Sequence, residues 1–115
     1  MNGLALAAAI MVVTGLTHSI VGEKRLITPA LAIDAALMQR PLARRVLRFA
    51  WHFTTVLMLL CAALVVWPGV PRGLLLLAGA TWTGVGLFDA VLTRGEHIGW
   101  PLLTLAGVLT LIGAW

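Results

Sequence analysis

Four long apolar runs dominate the chain, at about 3–22, 46–67, 73–92 and 97–115. Each approaches the roughly 20 residues that an α-helix needs to cross a hydrocarbon core of about 30 Å. The pattern predicts an all-α, four-helix transmembrane bundle, with residues 1–115 forming a single integral membrane domain. The link between the first two runs, about 23–45, is not simply polar. Its stretch from Ile27 to Met38 is mostly apolar yet too short to cross. Pro29 suits the first turn of a helix and Pro41 would stop it. A short interfacial helix between spans 1 and 2 is therefore expected, lying in the interface or tucked under the bundle. The remaining links are tight, so neighbouring spans should run antiparallel.

Composition agrees with this reading. Of 115 residues, 61% are hydrophobic and 10% charged, too few polar groups to cover a soluble domain of this size. Cys61 is the one cysteine, so neither an intrachain disulfide nor a cysteine metal motif is expected. The start, Met1-Asn2-Gly3-Leu4, lacks the basic opening of a signal peptide, and the first basic pair, Lys24 and Arg25, follows the first run. That order suits a retained anchor.

Charge then orients the chain. Lys24, Arg25, Arg40, Arg44, Arg45, Arg48 and Arg94 fall in the first and third links, and only Arg72 falls in the second. By the positive-inside rule both termini are expected outside and the charged links in the cytoplasm. The net charge of +4 belongs to this orientation and not to nucleic-acid binding. Trp51 and Trp100 fall near the inner ends of spans, and Trp67 and Trp115 near the outer ends, as interfacial rings prefer. Trp82 is mid-span and reads as a packing residue.

The same asymmetry gathers all three histidines and all four acids toward one side. His18, His52 and Asp89 each lie within about two helical turns of a basic anchor, and His97 opens the last run beside Glu96. Helical spacing places Arg45, Arg48, His52 and Thr55 on one stripe, and Gly79, Trp82, Gly86 and Asp89 on another. His18 lies next to the small-residue stripe Gly15, Ser19 and Gly22, which favours close helix approach. His18 and Asp89 are thus expected to face the bundle interior.

Four readings fit this layer. In the first, His18, His52 and His97 with Glu23 or Asp89 hold a Zn, Fe or Mn ion. No His-x-x-x-His or Glu-x-x-His motif supports it, and joint use of His18 and Glu23 would need the helix end to unwind. In the second, His18 and His52 are axial haem ligands. In the third, the groups form a proton or ion relay, although the outer half of the chain offers no continuation. In the fourth, they hydrogen-bond across helices and fix register, with Asp89 paired to Arg48 or protonated.

The segments His18-Ser19-Ile20-Val21-Gly22-Glu23, Trp51-His52 and His97-Ile98-Gly99-Trp100-Pro101 together resemble a group of small, uncharacterised four-span bacterial membrane proteins with H-S-x-x-G-E, W-H and H-x-x-W-P elements. The resemblance covers most of the chain. It implies the topology and singles out His18, Glu23, His52 and His97, but no activity. The resulting expectation is a small inner-membrane protein with a cytoplasmic-side His/carboxylate site, a candidate metal site. Arg48 is placed to bind an anionic headgroup or phosphate, and any redox substrate would be a lipid or quinone. The alternative is a noncatalytic subunit of a larger membrane complex, or a homo-oligomer, docking through Gly- and Ala-rich faces.

Overall fold

The computed structural model describes residues 2–115, and Met1 lies outside the described residues. Its helices are α1 (Gly3–Gly22), a π-helical turn (Glu23–Ile27), α2 (Thr28–Leu31), α3 (Pro41–Val65), α4 (Arg72–Leu92) and α5 (Gly99–Gly113). No strand occurs among the described residues. Three helical stretches, Gly3–Leu31, Pro41–Val65 and Arg72–Leu92, are long and apolar enough to cross a membrane. Their outward surface is strongly apolar, with Val13, Ile20, Phe49, Phe53, Leu77 and Phe88 all exposed. Water would disfavour such a surface, whereas lipid tails accept it.

The helix ends follow local chemistry. The Asn2 side chain caps α1 by accepting from the Ala5 N–H at 2.8 Å. Pro41 occupies the first turn of α3, where its missing N–H costs nothing. The helix therefore starts before the apolar run and carries Arg44, Arg45 and Arg48 in its opening turns. After α4 the chain turns through Arg94 (φ 53°) and Gly95 (φ 79°). The Gly95 N–H reaches the Ala90 carbonyl at 2.8 Å, and the Arg94 N–H reaches that of Val91 at 3.3 Å. This left-handed cap satisfies carbonyls that the helix end would leave free. It also delays α5 to Gly99, so α5 has 15 residues, about 22 Å. The fourth apolar run thus yields a shorter helix than its length predicts.

The short helix expected in the first link is α2, with Pro29 in its first turn. It continues α1 through the π turn instead of standing apart. Ile27 and Leu31 are buried, so this segment tucks against the bundle, while residues 32–40 form exposed turns.

Packing follows chain order for α1–α3 and α4–α5 but not for α3–α4. α1 packs on both α3 and α5, and α5 packs on α4, giving the lateral order α3–α1–α5–α4. Adjacent α3 and α4 hardly meet below their short connection. Trp82, 8% exposed, fills the wedge between them in a core with Met11, Ala62, Val65, Leu75 and Ala106. Its indole N–H donates to the Cys61 sulfur at 3.1 Å, so the mid-span tryptophan is a packing residue. At the opposite end from the histidines, the Arg72 guanidinium lies 4.2 Å above the Trp115 ring.

The α4–α5 seam is the tightest. A Cβ at Gly107 would lie 2.3 Å from the Thr83 nitrogen, and one at Gly86 would lie 2.6 Å from that of Thr104. Glycine lets the two backbones touch here. This contact sets the position of α5, and with it one wall of the cavity at the charged end.

Candidate functional site

The α1–α3 seam carries two linked sets of side chains at the charged end. In the first, Glu23 opens the π turn, whose wider i→i+5 bond brings Thr28 over it. Glu23 Oε1 accepts from Arg48 Nε at 3.0 Å and Thr28 Oγ1 at 2.9 Å, with Arg48 Nη2 also at 3.0 Å. Glu23 Oε2 lies 3.0 Å from His52 Nε2, and His52 Nδ1 lies 2.6 Å from Ser19 Oγ. So many donors stabilise an ionised carboxylate. An ionised carboxylate only accepts, so His52 Nε2 carries a proton, and the neutral form of the ring takes the Ser19 hydroxyl hydrogen at Nδ1. Both ring nitrogens of His52 are then occupied within the chain.

The second set surrounds His18. Its ring stacks on Trp51 at 4.1 Å between centroids and 13° between planes. The Trp51 N–H donates back to the His18 carbonyl at 3.1 Å. The indole lies so close to α1 that a Cβ at Gly22 would be 2.3 Å from it. His18 Nε2 is 2.7 Å from Thr54 Oγ1 and 3.3 Å from the Trp51 carbonyl. Thr54 donates its own hydrogen to that carbonyl at 2.6 Å. A carbonyl accepts only, so His18 Nε2 is the donor and the lone pair of the neutral ring sits on Nδ1.

Across the bundle, Asp89 near the end of α4 pairs with His97 in the α4–α5 connection. His97 Nδ1 lies 2.5 Å from Asp89 Oδ2, and the Asp89 side chain is 18% exposed against 51% for His97. The His97 ring folds over Gly99, where a Cβ would be 2.7 Å from Cε1. With Nδ1–H given to the carboxylate, the neutral form of His97 keeps its lone pair on Nε2. Neither His18 Nδ1 nor His97 Nε2 has a hydrogen-bond partner among the described residues.

Between these two imidazoles lies a half-open cavity of about 270 Å³. His18 and Trp51 line it from α1 and α3, His97 from the α4–α5 connection and Gly99 from the start of α5. Arg25 and Glu96 stand at its charged mouth. Toward the bundle centre it is lined by Thr14, Met58, Leu102 and Leu103. The exposed lining is mainly apolar.

The five residues expected to share one ligand set are thus distributed. Glu23 pairs with His52, Asp89 pairs with His97, and His18 stacks on Trp51. Asp89 meets His97, whereas Arg48 belongs to Glu23. Among the described residues, no three His, Cys, Asp or Glu side chains group as metal ligands. A common depth along the bundle therefore does not become a common centre, because the residues project from α1 and α3 on one side and from α4 and its following turn on the other.

No protein family, curated protein or solved structure matches this chain. Its chemistry must be read from the geometry alone. Ser19, Thr28 and Thr54 are members of the site that sequence reasoning did not assign. Ser19 and Glu23 do share a helical face at i and i+4, and that spacing was available as a signal. The role of Thr28 depends on the π turn, which no residue pattern announces. Trp51, read as an interfacial ring, is also the surface on which His18 rests.

Proposed function

We propose that the chain is a small, multi-pass inner-membrane protein that binds an amphiphile at its cytoplasmic side. The His/carboxylate layer holds the polar head, and the cavity between α1, α3 and α5 holds the apolar part. Both termini lie outside, and the charged links face the cytoplasm, in keeping with the distribution of basic residues. The cavity is the observation that carries this reading. It joins an apolar interior to a mouth bearing His18, His97, Arg25 and Glu96. Ligand sites combine largely apolar walls with a few convergent polar groups in this way. Ionisable groups within a membrane are costly and mark functional positions, a rule that weakens toward the interface. Here two imidazoles keep one nitrogen each outside the chain's own hydrogen bonding.

Fluorescence tests this directly, because Trp51 lines the cavity. In lipid nanodiscs, titration with an amphiphile bearing a nitroxide near its headgroup is expected to quench emission saturably. Most of the saturable component should vanish in Trp51→Phe. Quenching that rises linearly with added probe and is unchanged by Trp51→Phe is what simple partitioning into the bilayer produces, and it would sink the proposal.

A further inference from the structure

Arg44 and Arg45 stand without an ion pair at the charged end of α3. Arg48 lies one helical turn beyond them on the same side of the helix. With Gln39 and Pro41 the three arginines line a shallow, open groove of about 460 Å³. No carboxylate lines this groove among the described residues. Arg48 gives Nε and Nη2 to Glu23, both at 3.0 Å, and Asp34 accepts from Gln39 at 2.9 Å. Neither Arg44 nor Arg45 has an acid within ion-pair distance among the described residues.

The adjoining face of α3 is apolar. Val46, Phe49, Phe53, Val56 and Leu60 recur at alternating helical steps, so they form one stripe, and all are exposed. The Phe49 and Phe53 rings stack at 5.6 Å. α3 stands at one end of the lateral order of helices, packs on α1 and hardly meets α4, which leaves this stripe to lipid. From Arg48 to Val65 the helix rises about 25 Å, near the hydrocarbon thickness of about 30 Å. The guanidinium groups thus fall at headgroup level, and the stripe runs from there into the acyl region.

We infer that this groove binds the phosphate of an anionic phospholipid whose acyl chain lies along the stripe from Val46 to Leu60. Two guanidinium forks without an internal partner match phosphate oxygens in charge and in geometry. A zwitterionic lipid brings a cation beside its phosphate, which the arginines repel. The continuous apolar stripe makes a lipid, and not free phosphate, the fitting occupant. The groove shares no residue with the cavity between α1, α3 and α5. Lipid binding here is therefore independent of amphiphile binding there.

The test uses the full chain in phosphatidylcholine nanodiscs with a small fraction of phosphatidylglycerol carrying a diazirine on its acyl chain. After irradiation, peptide mass mapping is expected to find the label concentrated on α3 between Val46 and Leu60. The same fraction of diazirine phosphatidylcholine should label this segment about ten-fold less. Arg44→Gln/Arg45→Gln should reduce phosphatidylglycerol labelling about ten-fold, since each basic residue near the surface adds to the attraction. Lys24→Gln/Arg94→Gln removes the same charge from the same end of the bundle and should change labelling less than about two-fold, because it leaves the groove intact. All four side chains are exposed, so both variants should keep their helical circular dichroism. Equal labelling by the two lipids, or label spread evenly over the lipid-facing helices, would overturn the inference. So would equal losses in the two glutamine variants, which is what a diffuse basic field produces. Displacement of the label by inorganic phosphate, but not by chloride at the same ionic strength, would assign the groove to free phosphate and overturn the lipid assignment.

Discussion

Replacing Gly107 by alanine is expected to destabilise the protein more than any other single added methyl group. The new Cβ would lie 2.3 Å from the Thr83 nitrogen and 2.7 Å from the Gly79 carbonyl oxygen. Both are backbone atoms of α4, so no side chain can rotate away. The two helices must separate, and overpacking of this kind costs about 1–3 kcal/mol or more. Helix propensity favours alanine by about 1 kcal/mol and will not offset it. Gly84 provides the control on the same helix pair. A Cβ there meets nothing within 4 Å, so Gly84→Ala should be neutral or mildly stabilising. Thermal unfolding in detergent, followed by circular dichroism, separates the two variants. Equal stabilities for Gly107→Ala and wild type would mean that α4 and α5 do not approach as described. The variant also bears on the site, since α5 supplies Leu102 and Leu103 to the cavity and Asp89 of α4 holds His97 beside it.

Truncating Trp51 to alanine is the second large effect. The indole stacks on His18, donates to the His18 carbonyl and lies flat over Gly22. Loss of a large aromatic side chain from a packed interface costs about 3–5 kcal/mol, and the partial exposure of Trp51 places it at the lower end. A double-mutant cycle with Gly22→Ala gives the sharper test. In the parent, the alanine Cβ would collide with the Trp51 ring at 2.3 Å, so Gly22→Ala should be clearly destabilising. In the Trp51→Ala background the space is free, and the same change should cost little. That non-additivity is the mark of direct contact. Additive effects would place the indole elsewhere.

Much of the architecture was legible in the sequence because bilayer thickness imposes a length on apolar runs. The four runs become helices, and Pro29 and Pro41 take the first-turn positions that proline favours. Helix pairing was legible in part. The chain-adjacent pairs α1–α3 and α4–α5 pack together, whereas α3 and α4 hardly meet and α1 packs on α5 instead. The cause is side-chain shape. Gly22 accepts the Trp51 ring, Gly86 and Gly107 accept the α5 and α4 backbones, and Trp82 holds α3 and α4 apart. A periodicity marks Gly22, Trp82 and Gly86 as packing faces, yet it does not name the helix each will meet.

The site was legible in depth and not in azimuth. Distance from basic anchors placed His18, His52, Asp89 and His97 near one end of the bundle. It could not say that His52 would be consumed by Glu23 and Ser19, or that Asp89 would serve His97. Stripes on single helices were more informative. Gly79, Trp82 and Gly86 are all buried, as their shared face predicted. The left-handed turn at Arg94 and Gly95 returns His97 toward Asp89, and a turn of this kind lies outside helical periodicity.

Whether an amphiphile occupies the space between α1, α3 and α5 can be decided by native mass spectrometry of the protein released from its membrane. Wild-type protein should retain a bound amphiphile of defined mass. A Val21→Trp/Leu103→Trp variant, with bulk introduced from two walls of the cavity, should lose it while keeping its helical circular dichroism. Protein that carries no such adduct, or a variant that carries it as fully as the wild type, would contradict amphiphile binding at this cavity.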